Sequence, residues 1–342
     1  MPALLALLLG AASAFCMAPE PLFDGTKTDV RPELPPPPPA AHGAAVAVPE
    51  DLSQAKERLG TQAMLSRLKP GEGASFVFGV IGDAEPGRFS WERVFSPGTD
   101  TFRNELRSLQ AMKPDFIIQL GDIVSEGDAS HYRQAVSLLD AELAAPLFTV
   151  IGNHDRSRPN GDADKTFYEA VFGPRDYFFD HRGWRFICLD TSDRKLTKPQ
   201  LEWLASVLKT DKPKAVFTHV PPDYVESVKP LAETGPLVEP VDRNNPVGDF
   251  FTSRFKEGSR EFDDLVSSAG VKAVFAGHIH AFLAGDHRGV RYIITGGGGS
   301  PLYPLPPGYP KKRFAHFMTM EAGPGTLRQT VHPAEGDPFP LP

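Results

Sequence analysis

Five apolar runs in this chain each end in a side chain that can hold a metal ion or move a proton. "FVFGVI" runs out at Gly82-Asp83 and "FIIQL" at Gly121-Asp122. "LFTVI" leads to Gly152-Asn153-His154-Asp155, "AVFT" to His219, and "VKAVFA" to Gly277-His278-Ile279-His280. Glu85 follows Asp83 by two positions. Taken alone, each residue has an ordinary explanation: Gly-Asp after a strand is a turn or a helix cap, and a single histidine is a satisfied loop residue. Carboxylates, an amide oxygen and imidazoles recurring at successive strand ends are another matter. In α/β folds ligands bind beyond the carboxyl ends of the strands, so these side chains can converge on one crevice. Their chemistry there would be to hold metal ions and to move protons.

The elements that must position them follow from the hydrophobic pattern. Nearly continuous apolar runs lie at 76–82, 115–120, 147–151, 184–189, 215–218, 272–276 and 290–295. Helical periodicity falls between them, around 99–112, 130–143, 163–172, 198–208 and 258–269. Alternation of this kind predicts an α/β architecture with buried sheets. The stretch "DYFFDHRGWRFICLD" reads as a hairpin turning at Asp180 to Gly183, so a sheet is partly antiparallel. Residues 50–68 have an amphipathic helical pattern interrupted by Gly60, and 221–256 is a patternless loop rich in Pro, Asp and Asn.

Composition sets the class. The chain has 342 residues, is 41% hydrophobic and 23% charged, and carries a net charge of -7, which offers no basic footprint for nucleic acid. Its 35 prolines are about twice the usual share, and the excess gathers near the ends. Ala3 to Phe15 is an apolar run of signal-peptide length with Ala12-Ser13-Ala14 as a cleavage pattern, although no Lys or Arg precedes it. We therefore expect a periplasmic or secreted protein, with a lipid anchor at Cys16 as the alternative, and no membrane span after the signal region. Cys188, inside an apolar run, reads as a small buried hydrophobe. The expected organisation is a signal peptide at 1–18, a Pro-rich linker with a short helix at 19–73, one catalytic domain at 74–333 and a tail at 334–342.

The order Gly-Asp, Gly-Asp, Gly-Asn-His-Asp, His, Gly-His-x-His resembles that of the calcineurin-like metallophosphoesterase family, over about Phe76 to Gly298. The resemblance implies a four-layer α-β-β-α sandwich with two mixed sheets and two divalent metal ions beyond the strand ends. By position, Asp122 would bridge both ions, Asp83 and His280 would hold one, and Asn153, His219 and His278 the other. A hydroxide bridging the ions would attack phosphorus. His154 would face the substrate, and Asp155 would orient its imidazole. The implied activity is hydrolysis of phosphoric esters, as a phosphatase or a phosphodiesterase.

This chain departs from the family at Glu85, where a histidine is usual. Glutamate can ligate through oxygen, and the added charge would favour hard ions, Mn²⁺ or Mg²⁺ first and Ca²⁺ as a further candidate, over Fe or Zn. Ser125 stands where purple acid phosphatases carry a metal-binding tyrosine, which argues against a tyrosinate-iron centre. The altered Glu85 also leaves an alternative, an exported, metal-bound but catalytically silent binding module. Asp190 is expected to be structural, the Gly296 to Gly299 run to be close packing beside the site, and His131, His181 and His287 to be solvated. Arg88 and Arg156 adjoin the motifs and could contact a phosphate.

Overall fold

The computed structural model describes residues 46–70, 74–84, 98–158, 163–227, 229–230, 254–300, 302 and 314–342. Its helices are α1 (Glu50–Leu59), α2 (Thr61–Arg67), α3 (Gly98–Ala111), α4 (Ala129–Glu142), α5 (Thr166–Val171), α6 (Lys198–Val207) and α7 (Ser259–Ser268). Its strands are β1 (Phe76–Ile81), β2 (Phe116–Gln119), β3 (Leu147–Thr149), β4 (Tyr177–His181), β5 (Trp184–Cys188), β6 (Lys214–Phe217), β7 (Lys229–Pro230), β8 (Ala273–Ala276), β9 (Phe282–His287), β10 (Val290–Thr295), β11 (His316–Gly323), β12 (Thr326–Pro333) and β13 (Phe339–Pro340).

Two mixed sheets form the centre, ordered β13-β12-β11-β1-β2-β3 and β4-β5-β6-β8-β10-β9-β7. Strands β1, β2 and β3 are mutually parallel, as are β5, β6, β8 and β10, so their carboxyl ends emerge together. Strands β4 and β5 form the expected hairpin. The sheets are joined face to face by phenylalanines. Phe78 stacks on Phe116 with centroids 5.2 Å apart, and both meet Phe186 of the other sheet edge-on, at 5.2 and 4.9 Å. Such offset and T-shaped contacts add to the area that each ring buries. A second apolar cluster covers the outer face of the second sheet, where Leu204 of α6 and Phe262 and Val266 of α7 meet Ile187, Val216 and Val274. On the first sheet α3 comes close enough that a Cβ at Gly79 would strike the Leu109 side chain at 2.6 Å. The result is the four-layer sandwich with helices on both outer faces.

The structure moves the domain boundaries. Gly60, extended at φ -69° and ψ 154°, divides the 50–68 segment into α1 and α2. Leu52, Ala55, Leu59, Met64 and Leu65 of these helices are buried in the main core rather than lying in a linker. Each large apolar side chain buried this way contributes roughly 2 kcal/mol. At the other end β13 pairs with β12, so the expected tail belongs to the first sheet. His181 is also not solvated: it is buried edge-on to Phe76 and Phe116, with Nε2 2.8 Å from Asp115. His131 and His287 are half-buried, against Asp128 and Asp263 respectively. Cys188 is buried, and burial pushes its thiol up to about 12. Among the described residues no helix is long and apolar enough to cross a membrane. The signal region, Cys16, Glu85, Arg88 and most of the 221–256 loop lie outside the described residues.

Candidate metal centre

The strand-end residues converge. Asp83 follows β1, Asp122 follows β2, Asn153 follows β3, His219 follows β6, and His278 and His280 follow β8. All six are buried. Their ligand atoms form two groups compact enough to hold an ion, Asp122 with His219 and His278, and Asp83 with Asp122 and His280. Asp122 belongs to both. Its Oδ2 lies 3.2 Å from His219 Nε2, which in turn is 3.0 Å from Asn153 Oδ1. His280 Nε2 lies 3.3 Å from Asp83 Oδ2, a buried oxygen with no hydrogen-bond partner among the described residues. A buried carboxylate oxygen is seldom left unsatisfied, and divalent ions would satisfy it. This donor set of hard oxygens and imidazoles fits them.

Backbone geometry shows how tightly the ligands are held. Asp122 (φ 53°) and His278 (φ 66°) both adopt the left-handed conformation, which non-glycine residues avoid unless their surroundings impose it. Gly152 is needed for another reason. A Cβ there would sit 2.1 Å from Asp122 Oδ1, so only glycine lets the two motif loops meet. At Gly277 a Cβ would come within 2.3 Å of Asp83 Oδ1. The Gly296 to Gly299 run packs as expected: Cβ atoms at Gly296 and Gly298 would strike Ile279 and Gly82, and Ser300 N donates to the Asp83 carbonyl at 3.1 Å.

Hydrogen bonds fix the imidazoles. Nδ1 of His219 faces the Leu120 carbonyl at 2.8 Å, and Nδ1 of His154 faces the Ser125 carbonyl at 3.0 Å. A carbonyl only accepts, so each Nδ1 carries the proton and each Nε2 is directed away from it. Burial alone would lower His219, but the Asp122 and Asp83 carboxylates outweigh it and raise the ring to about 9. His278 goes the other way. Burial, then the charges of His219 and Arg194, hold it well below its ordinary value against the pull of Asp122.

Asp155 does something other than orient His154. Its carboxylate accepts from the backbone N–H groups of Gly152 (2.7 Å), Asp122 (2.9 Å), Ile123 (2.9 Å) and Val124 (3.2 Å). With both oxygens engaged, it clamps the two motif loops together, and the Ser125 carbonyl orients His154. Arg156 is likewise committed: it is buried, ion-paired with Asp193, and its Nε donates to the Asn153 carbonyl at 3.3 Å. Asp190 is structural, salt-bridged to Lys165 (2.6 Å) and Arg175 (2.9 Å). Burial would raise its carboxyl, but those two cations hold it low.

Some positioning groups were not legible as such. The Gln119 side chain donates to the Gly121 carbonyl at 2.7 Å and accepts from Gly121 N at 3.0 Å, bracing the turn before Asp122. The turn after β5, Thr191 to Arg194, touches both halves of the site. The available signal was that "FICLD" is one more apolar run ending in polar residues.

A profile of the calcineurin-like phosphoesterases matches residues 76–282. The chain belongs to that family. It is 28% identical over 181 residues to a cAMP/cGMP dual specificity phosphodiesterase of Mycobacterium tuberculosis, covering 49% of this chain and 49% of that protein. It is also 24% identical over 254 residues to the human serine/threonine-protein phosphatase CPPED1, covering 67% of this chain and 74% of that one. This chain thus spans about half the length of the mycobacterial enzyme. A purple acid phosphatase from yellow lupin shares the fold, with a TM-score of 0.58 at 16% identity over 80% of this chain and 54% of that one. The buried ligand groups of this calcineurin-like phosphoesterase are its candidate metal sites.

Proposed function

We propose that this calcineurin-like phosphoesterase hydrolyses phosphoric esters at a two-metal centre built around Asp122. The membership of Asp122 in both ligand groups is the observation that carries this reading. Asp83, His280 and Asp122 would hold one divalent ion, and Asn153, His219, His278 and Asp122 the other. When bound, the pair would supply Lewis acidity, offsetting charge on the phosphoryl oxygens and acidifying the attacking water. The chain's own residues do the rest. Asp122, steadied by the His154 backbone N–H at 2.8 Å, keeps the two ligand groups together. His154, only 8% exposed, holds its Nδ1 proton on the Ser125 carbonyl, which leaves Nε2 as the atom from which the protonated ring would give a proton to the departing oxygen.

The relatives include one protein named for phosphodiester hydrolysis and one named for protein phosphate removal, so both ester classes belong to the reading. Mn²⁺ or Mg²⁺ are the proposed ions, on the strength of two aspartates and of Glu85 two positions after Asp83 in sequence. Export is part of the same proposal and rests on the Ala3 to Phe15 run and the Pro-rich stretch that follows it. Protein loaded with Mn²⁺ should turn over 4-nitrophenyl phosphate or bis(4-nitrophenyl) phosphate, with His154→Ala impaired. Absence of turnover of either ester would favour the silent binding module instead.

A further inference from the structure

One short turn holds the backbones of both Asn153 and His219. It runs from Thr191 to Arg194 after β5, and Arg194 closes it by donating its N–H to the Thr191 carbonyl at 2.8 Å. Ser192 N donates to Asp190 Oδ1 at 2.9 Å, which ties the turn to the end of its strand. On one side the buried Thr191 accepts, through Oγ1, from the N–H groups of His219 (3.2 Å) and Val220 (2.9 Å). The same hydroxyl donates to the Val220 carbonyl at 3.0 Å. On the other side Asp193 pairs with the buried Arg156 guanidinium, whose Nε donates to the Asn153 carbonyl at 3.3 Å. Lys165 fastens Asp193 at 2.7 Å and reaches Asp190 at 2.6 Å.

Asn153 and His219 come from different sheets, yet their side chains meet, with Nε2 of His219 3.0 Å from Asn153 Oδ1. Strand pairing does not set that distance, because β3 and β6 belong to separate sheets. The turn does: it leaves β5, the hydrogen-bonded neighbour of β6, and reaches the loop after β3 through Arg156. Asp83 is held from elsewhere. Ser300 N donates to its carbonyl at 3.1 Å, and a Cβ at Gly296 would come within 3.1 Å of its Oδ2. The two ligand groups that share Asp122 therefore have separate braces. Charge adds a second link, since Asp193 offsets Arg156. A buried guanidinium left uncompensated beside Asn153 would repel a cation.

On the reading that Asp122 is shared by two ions, we propose that Thr191 and Asp193 are positioning residues for one of them, the ion held by Asn153, His219 and His278, and not for its neighbour at Asp83 and His280. Thr191→Val keeps the shape of the side chain and removes the hydroxyl, leaving two backbone N–H groups unmatched. Calorimetric titration of the chelator-stripped full chain with Mn²⁺ should then show one ion bound as in wild type. The other should bind roughly 10- to 100-fold more weakly, the usual cost of losing a partner that orients a ligand. Thr191→Ser should restore the wild-type titration, and Asp193→Asn should weaken the same ion. Two backgrounds locate it: Thr191→Val should weaken the ion left in His280→Ala and not the one left in His278→Ala. Thermal melts in chelator show which variants are folded, and Asp193→Asn carries the test if Thr191→Val gives no cooperative melt. Equal weakening of both ions, or wild-type affinity for both, overturns the assignment. If wild type binds a single ion, the two-ion reading fails, and the assignment stands or falls on whether Thr191→Val weakens that ion.

Discussion

Asp122 turns one carboxylate oxygen to the His154 backbone N–H, at 2.8 Å, and the other to Nε2 of His219, at 3.2 Å. A single side chain thereby ties the β2, β3 and β6 strand ends, and its left-handed backbone points it where both ligand groups need it. Asp122→Asn keeps the shape but loses the charge that two cations would share. The expected outcome is fewer than two metal ions per chain by elemental analysis and turnover reduced roughly 1000-fold. Full occupancy with near-normal rates would mean that Asp122 is not shared.

His154 should matter to chemistry and not to metal. Loss of a positioned proton donor costs roughly 100- to 10,000-fold in rate. His154→Ala should show a loss in that range on poor leaving groups and a much smaller one on 4-nitrophenolate, with metal content unchanged. A loss independent of leaving-group pKa would assign the imidazole to substrate binding instead.

Asp155 is expected to behave as a clamp. In Asp155→Asn the amide would present hydrogens to some of the N–H donors that now converge on carboxylate oxygens, leaving buried donors unmatched. Such a change costs about 2–4 kcal/mol in stability. Urea unfolding should show that loss, together with weaker metal retention, while the leaving-group dependence of the residual activity stays that of wild type. A steeper dependence would return Asp155 to the role of orienting His154.

Glu105, in α3, is buried with neither carboxylate oxygen hydrogen-bonded among the described residues, and burial raises its carboxyl to about 9. The unfolded chain releases this proton near 4.5 and the folded protein near 9. Between those values the unfolded state binds fewer protons, so this group's effect is to lower stability as pH rises. Below 4.5 both states are protonated and the effect vanishes. Glu105→Gln should therefore match wild type near pH 4 and gain up to roughly 3 kcal/mol at pH 7. Unfolding curves at the two pH values check this, and an equal difference at both would contradict it.

The helices ahead of β1 are tested by truncation. A chain beginning at Ala74 loses the buried face of α1 and α2, including Leu52, Leu59 and Leu65. It should unfold at a markedly lower temperature than one beginning at Val46, which keeps them. Equal melting temperatures would restore the linker reading.

The candidate metal ligands were legible because buried parallel strands announce themselves as apolar runs, and these side chains sit just past their ends. Strand positions followed for the same reason. Where tertiary contacts decide, the sequence is less explicit. The β12 strand is mostly polar and half-exposed, and it is held by pairing with β11 rather than by its own apolar pattern. The 50–68 pattern showed a helix, but the proline-rich approach suggested a linker, and its burial depends on α1 packing on α4 and α5 and on α2 packing beside β3. His181 looks like a hairpin surface residue until Phe76, Phe116 and Asp115 close over it. Asp155 sits beside His154 in sequence, yet its partners are backbone groups of another loop. Thr191 to Arg194 reads locally as a turn, and its place beside the centre depends on the contacts of Thr191 with Val220 and of Asp193 with Arg156.

The central claim is that one carboxylate serves two ions, and anomalous scattering from a crystal grown with Mn²⁺ tests it most directly. The account predicts two manganese peaks flanking the Asp122 carboxylate, one beside Asp83 and His280 and the other beside Asn153, His219 and His278. A single peak, or two ions of which only one touches Asp122, would contradict it.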